Sequence, residues 1–445
     1  MNSIERISAV WRGDRPDRVP LTTWCFGLRA PDHLRWKNKG HEVPFWYSER
    51  MEHLHTLPFP WDLSDDFRRA LAWKSIGVDD ILDVSVPWSQ DPSVSFVDTR
   101  KPPAAPGSPP VLVREWRTPK GALRHEVRQT GEEMGEGWTV QPDHVPLLED
   151  FNIPRAERQL VCLPGDVERL AFCYRPPNEA ARAWFAARMA EVKAFRDANG
   201  IPVQAWAGFG MDAVVWFCGV EGAIMLALDH PKEFGELFDV ITEADLARTE
   251  LAAAHPGVDL VVERGWYSST DFWSPALFDQ FVFPHVQALA KAAHRHGKRF
   301  GYVMTTGVEV LGPRLADAGV DVLYFVDPLD PVQKGLSLER IRDLLPGTMT
   351  LVGGISALTL GSGDADEIRR EVGHAMDILG PTNRFILHPV DAVFPNTPWS
   401  SIETMIEAWK RYSCAPGPAS RTAARPPRQE GGRSRAHARR SGPAA

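Results

Sequence analysis

The chain has little that would tie it to an oxidising compartment, a membrane or a dinucleotide. Its five cysteines, Cys25, Cys162, Cys173, Cys218 and Cys414, are odd in number and scattered, with no Cys-x-x-Cys pair. That pattern excludes a disulfide framework or a structural zinc knuckle as the basis of the fold, and most of these thiols read as buried. No apolar run approaches the roughly 20 residues that a membrane span needs, so no membrane partner is expected. The opening MNSIERISAVWRGDR mixes charges among its apolar positions and lacks a basic stretch followed by an apolar core. It therefore does not read as a secretory signal, and the cytoplasm is the expected compartment. Gly208 and Gly210 stand in AGFG with no G-x-G-x-x-G after them, which is too short for a phosphate loop.

What is present describes a globular protein with an ample core. Forty-three per cent of the 445 residues are hydrophobic, 16 are Trp, and the mean hydropathy is -0.26. One elaborated domain, residues 1–412, followed by a tail, residues 413–445, is the economical division. Charge follows the same division. The tail holds seven Arg against Glu430, so the net charge of -8 divides into +6 in the tail and -14 in the body. Rich in Pro, Gly, Ser, Ala and Arg, the tail has too little apolar surface to offset the entropy of ordering, so disorder is expected there. A nucleic-acid contact is the less expected use of it.

Eight short runs rich in β-branched and aromatic residues read as strands: 18–23, 80–84, 202–207, 259–263, 299–304, 321–326, 349–352 and 384–388. Between them, Asn178 to Gly200 and Ser274-Pro275 to Gly297 bracket helices, and Asp364 with Glu367 has capping-box spacing before a helix that ends at Gly380. Eight strands alternating with helices predict an α/β fold, a (β/α)8 TIM barrel. Residues 90–150 break the alternation. There Thr118-Pro119-Lys120-Gly121 separates two β-like runs, which predicts an inserted β-hairpin over the C-terminal mouth of the barrel, a candidate lid or substrate wall.

Residues just past each barrel strand face one mouth. That rule nominates Trp24, Arg29, Asp80, Trp206, Glu263, Arg264, Asp327, His388 and Asp391, along with Asp79, Gly208, Gly210, Met304, Thr305, Gly353 and Gly354. Carboxylates gathered in a partly dry pocket shift one another's pKa and divide into acid and base, and arginine binds carboxylate groups in bidentate fashion. The tryptophans at 24, 88, 206, 266 and 273 either wall a pocket for a planar ligand or fill the layer between helices and barrel. His294 and His296, two apart on a helix, point to different faces and suit the basic last turn of a helix more than a metal.

Two stretches carry a resemblance. RFILHPVDAVFPNTP at 384–398 and RGDRPDRVPL at 12–21 resemble the two ends of the uroporphyrinogen decarboxylase superfamily, whose members are (β/α)8 barrels and include decarboxylases and zinc-dependent cobalamin methyltransferases. The resemblance runs from about residue 3 to 412. Asp391 stands where the decarboxylases show His (GHGI) and the methyltransferases Cys (GCGI). VDDIL at 78–82 resembles the decarboxylases' FSDIL, which implies that Asp80 engages the substrate and stabilises positive charge on it. WCFGLR at 24–29 keeps Arg29 from the arginine-rich turn that holds substrate carboxylates. YVMTTG at 302–307 lacks the His-x-Cys of the methyltransferases.

The resemblance thus implies a metal-independent carboxy-lyase acting on an anionic small molecule, with Asp80, Asp391 and His388 catalytic. Arg29, Trp24, Trp206, Glu263, Arg264 and Asp327 are its expected substrate-binding residues. No cofactor is expected in that reading. The alternative is methyl transfer involving a corrinoid or thiol carrier and an atypical site for zinc or another divalent metal, for which Glu263, His388 and Asp391 are candidate ligands. A non-catalytic small-molecule binding protein is the third reading. Family members are often dimers, so a homodimer is the expected assembly.

Overall fold

The computed structural model describes residues 1–48, 61–102, 105–129, 144–328 and 337–414. Fifteen strands occur among them. Near the N-terminus lie β1 (Phe26–Arg29), β2 (Trp36–Asn38), β3 (His41–Val43) and β4 (Phe45–Tyr47). β5 (Leu82–Ser85) precedes a second group, β6 (Ser95–Lys101), β7 (Val111–Thr118), β8 (Gly121–Arg128) and β9 (Ala156–Arg158). The remainder are β10 (Val203–Gly208), β11 (Leu260–Glu263), β12 (Arg299–Val303), β13 (Val322–Val326), β14 (Thr350–Ile355) and β15 (Phe385–Pro389).

Seven of these form one curled parallel sheet in the order β15-β14-β13-β12-β11-β10-β5. Their residues are buried almost without interruption, as expected of parallel strands covered on both faces. The architecture is α/β and TIM-barrel-like. The expected first strand, 18–23, forms only an isolated bridge, Leu21 to Leu387. Pro20 has no N–H to give to a ladder, so pairing does not propagate. Even so, the segment touches both edges of the sheet: Leu387 N–H donates to the Pro20 carbonyl at 3.0 Å, Thr22 N–H to the Leu387 carbonyl at 3.0 Å, and Asp79 N–H to the Leu21 carbonyl at 2.8 Å.

The helices start where their caps dictate. Asn178 caps Glu179–Asn199, which stops at left-handed Gly200, and Asp364 caps Ala365–Ile378. The segment opened by Ser274-Pro275 is not uniform: Pro275–Leu277 passes through a π-helical turn, Phe278–Val282, into Phe283–Arg295. Helix Gly210–Asp229 is long and apolar enough to cross a membrane, contrary to the expectation from apolar runs, yet 67% of its most apolar window is buried inside the fold. It is a core helix by its packing. β14 runs through Gly353 and Gly354, both at positive φ (150° and 95°), where a Cβ on Gly353 would collide with the Val326 backbone.

The insertion after β5 is a four-stranded antiparallel sheet, β6-β7-β8-β9. β7 and β8 meet at Thr118 opposite Gly121, the expected turn. Residues 130–143 of the expected insertion, and the tail from 415 onward, lie outside the described residues. The sheet buries Val111, Leu112, Val113, Trp116, Leu123 and Val127. Between β8 and β9 the chain passes through a 3-10 turn, Asp150–Arg155, whose first residue reaches the C-terminal ends of the parallel strands.

Candidate active site

A pocket of about 450 Å³ opens at that end of the sheet. Its wall is assembled from five places in the chain: Trp24 and Phe26 around β1; Asp150 at the end of the insertion; the run from Arg264 to Phe272 after β11; Thr305 and Thr306 after β12; and Asp391 and Phe394 after β15.

Arg264, only 2% exposed, anchors the wall. Its Nε donates to Asp212 at 3.1 Å and its Nη2 to Asp150 at 2.7 Å, while the guanidinium lies 4.7 Å from the ring centroids of both Trp216 and Trp266. Asp150 also accepts from the Trp216 indole, and Asp212 from the Tyr267 N–H at 2.9 Å. Burial pushes the Asp212 carboxyl up to about 7, with the Arg264 charge pulling it back toward ionisation. Two carboxylates and two indole faces therefore hold one guanidinium.

Trp266 forms the floor. Its ring stacks on Trp206 at 6.1 Å and 15°, and its Nε1 donates to Asp391 at 3.2 Å. Beneath it the barrel interior is polar and satisfied: Asp83 accepts from Trp206 Nε1 at 2.7 Å and from Gln204 Nε2 at 2.6 Å, and the Tyr324 hydroxyl donates to Gln204 Oε1 at 2.8 Å. Trp206 thus supports the pocket from below. Asp391 sits at φ 64°, a left-handed conformation that Asp tolerates better than most residues.

Of the expected site residues, Trp24, Arg264 and Asp391 line this pocket together. Thr305, also nominated by the strand-end rule, lines it with them, and the other expected residues do not. Asp80, fully buried at φ 41°, precedes β5 and faces Arg69, whose Nη2 lies 3.7 Å away. Burial pushes its carboxyl up to about 7 despite the Arg69 charge. Glu263 turns into the helix layer, 3.2 Å from His285 Nε2, and burial raises its pKa. His388 is buried against Phe325 (5.2 Å) and Tyr324 (6.3 Å), with its Nδ1 2.5 Å from the Pro389 carbonyl; burial lowers its pKa to about 4, so the ring is neutral. Arg29 is exposed beside Phe45, and Asp327 is half-buried past β13.

Sequence reasoning missed Asp150, Asp212, Tyr267, Asp271 and Phe272. The visible signal for three of them is the aromatic-rich GWYSSTDFW immediately after Glu263-Arg264, at a strand end. Asp150 has no such signal, because the insertion delivers it from outside the strand-and-helix alternation.

Residues 153–412 match the family model described as uroporphyrinogen decarboxylase (URO-D). The chain belongs to the uroporphyrinogen decarboxylase family. Among solved structures it is similar to a methyltransferase from Methanosarcina mazei, at 16% identity and a TM-score of 0.53 over 93% of this chain and 99% of that one. That likeness shows a shared fold. A muconate lactonizing enzyme from Pseudomonas putida aligns at 10% identity and a TM-score of 0.25 over 73% of this chain and 78% of its own. No curated protein matches the chain.

The zinc of the family's methyltransferases finds no fitting donor set here. Among the described residues no three His, Cys, Asp or Glu side chains are grouped to hold a metal ion. Glu263, His388 and Asp391 are not gathered: the first is turned to His285, the second has its Nδ1 against a backbone carbonyl, and the third lines the pocket. Tyr302, which opens the stretch that lacks the His-x-Cys, donates its hydroxyl to Ser268 Oγ at 2.7 Å.

Proposed function

We propose that this family member is a carboxy-lyase that closes its barrel as a full (β/α)8 ring and removes a carboxylate from a small organic acid by proton transfer at Asp391. The observation that supports this reading is the composition of the wall. Among the described residues, Asp391, Asp150 and Asp271 surround a space faced by Trp24, Phe26, Trp266 and Phe394, and the guanidinium that lines it, Arg264, is held by two carboxylates. Such a wall favours positive charge on the substrate.

Decarboxylation of an electron-rich ring develops that charge. Asp391, protonated, would deliver its proton to the ring carbon that bears the carboxylate, forming a C–H bond and leaving the ring cationic. The bond to the carboxylate then breaks, its electron pair returns to the ring, CO2 departs, and solvent reprotonates Asp391. In this scheme Asp150 and Asp271 take the charge-stabilising role that the resemblance assigns to Asp80, and Trp266 orients Asp391. His388, neutral and enclosed, is a support for the strand end and not the proton donor.

The test is CO2 release from a panel of pyrrole and electron-rich aromatic carboxylic acids, run in D2O to detect deuterium at the vacated carbon. Asp391→Asn should lose about 100-fold or more of the rate while remaining folded. Methyl transfer to cob(I)alamin from a methylated substrate, with no CO2 released from any acid, would replace the lyase reading. Ligand binding with neither reaction would make the protein a binder.

A further inference from the structure

We infer that the substrate's carboxylate is held in this pocket by neutral hydroxyl donors, Tyr267 first and Thr305 from the next strand end, and not by a guanidinium. The inference rests on the proposed decarboxylation and names the groups that receive the leaving carboxylate.

The first observation is which donors the wall offers. Among the described lining residues Arg264 has no Lys, His or second Arg beside it, and its guanidinium is engaged by Asp212, Asp150 and two indole rings. The other side-chain donors on the lining loops after β11 and β12 are hydroxyls. Thr306 gives its hydrogen to Asp271 at 2.6 Å, and Ser269 Oγ accepts the Asp271 N–H at 3.3 Å. The hydroxyls of Tyr267 and Thr305 make no hydrogen bond with any described residue, so both are available to an acceptor in the pocket.

The second is that Tyr267 is fixed for reasons other than its hydroxyl. Its N–H donates to Asp212 at 2.9 Å, its carbonyl accepts from Trp273 Nε1 at 2.7 Å, and its ring lies edge-on to Phe272 at 5.9 Å and 64°. A donor whose backbone and ring are both held costs little to reorganise when an anion arrives. Burial, and after it the charges of Asp150 and Asp212, raise the phenol above its ordinary range against the pull of Arg264, and Asp391 adds to the rise. The hydroxyl therefore stays protonated at neutral pH and lies within the field of Asp391, the group that protonates the carbon bearing the carboxylate.

The third is the chemistry of the leaving group. A carboxylate loses its charge as it becomes CO2, so a guanidinium bound to it would stabilise the starting acid more than the transition state. Neutral hydroxyls orient the group and release it at smaller cost.

The experiment is calorimetric titration of the full-length protein at pH 7 with pyrrole-2-carboxylate and with its uncharged counterpart, pyrrole-2-carboxamide. The parent should prefer the acid. Tyr267→Phe should weaken the acid by about tenfold to 100-fold and the carboxamide by less than about threefold, and Thr305→Val should give a smaller loss of the same selectivity. A merely structural role would shift both ligands alike, and circular dichroism and Tm should match the parent. For any acid that is decarboxylated, Tyr267→Phe should raise KM and hold kcat within about threefold, since the contact fades as CO2 forms. Unchanged affinity for the acid in Tyr267→Phe, equal losses for acid and carboxamide, or no binding of the acid by the parent would overturn the inference. Selective loss of acid binding without CO2 release from any acid overturns the reaction and leaves the carboxylate site. CO2 release with KM and kcat both unchanged in Tyr267→Phe does the reverse.

Discussion

The indole N–H of Trp266 donates to the Asp391 carboxylate at 3.2 Å. The donor is immobilised from below by its stack on Trp206, and the acceptor is carried on a left-handed residue immediately after β15. Two strand ends that are distant in sequence, those of β11 and β15, thereby fix one carboxyl group at the wall of the pocket.

If this contact orients the proton donor, Trp266→Phe should keep the aromatic floor and lose the hydrogen bond. The expected outcome is a fall of about tenfold in kcat with KM little changed, because a positioning contact acts on the reacting geometry more than on binding. Steady-state kinetics on the best acid from the CO2-release panel checks this. An equal loss through KM alone would count against the orienting role.

Arg264→Leu should be strongly destabilising. It leaves Asp212, fully buried, and Asp150 without their shared cation, and breaking a buried pair in this way costs about 3–5 kcal/mol. Adding Asp212→Leu removes the stranded buried carboxyl and should recover a large part of the loss. Urea denaturation of the single and double variants gives the comparison.

Asp80 makes a pH-dependent contribution of definite sign. Its carboxyl is raised from 3.8 to about 7 in the folded protein, chiefly by burial. Between those values the folded state holds a proton that the unfolded chain has released, so stability falls as pH rises through this window and levels off above it. Asp80→Asn should flatten that fall. The free energy of unfolding at pH 4.5 and pH 7.5 should differ less in the variant than in the parent.

His388 acts in the opposite sense. Its folded pKa is depressed from 6.5 to about 4 by burial, so the stability it contributes is complete above 6.5 and is lost as pH falls toward 4. Replacement by Asn, which cannot take up a proton, should make the acid limb of the stability curve shallower over that range. An unchanged acid limb would mean that the ring is hydrated in the native state.

The parallel sheet was legible because continuous buried strands and capped helices each follow from local rules. RFGYV, VLYFV and FILHP contain the β-branched and aromatic residues that a two-sided core requires, and Asn178 and Asp364 announce their helices. The limits of that reading are equally physical. Pro20 stops the first strand after one bridge, and Asp80 at positive φ delays β5 until Leu82. The rule that residues beyond a strand end face the mouth placed Trp24, Arg264, Thr305 and Asp391 on the wall. It does not distinguish a side chain that turns inward from one that turns to the helices. Glu263 and Arg264 are adjacent, and only the second lines the pocket; the first is claimed by His285. Asp150 reaches the wall by tertiary docking of an insertion, which leaves no periodic trace in the sequence.

The hydrogen bonds that join Pro20 and Thr22 to Leu387, together with those from Arg384 to the carbonyls of Trp11 and Arg12 at 2.8 Å each, link the first residues of the chain to β15, the last of the described strands. A chain emerging from the ribosome has its opening helix, Ser3–Arg12, and the segment after it in hand long before their partner exists. The parallel sheet can grow strand by strand from β5 onward, but the seam at Leu21 waits for β15, and Asp391, only two residues past that strand, reaches its place with it. The last seam to close is therefore the one beside Asp391. A nascent protein, or one clipped before β15, would hold most of its core and lack Asp391, on which the proposed chemistry turns.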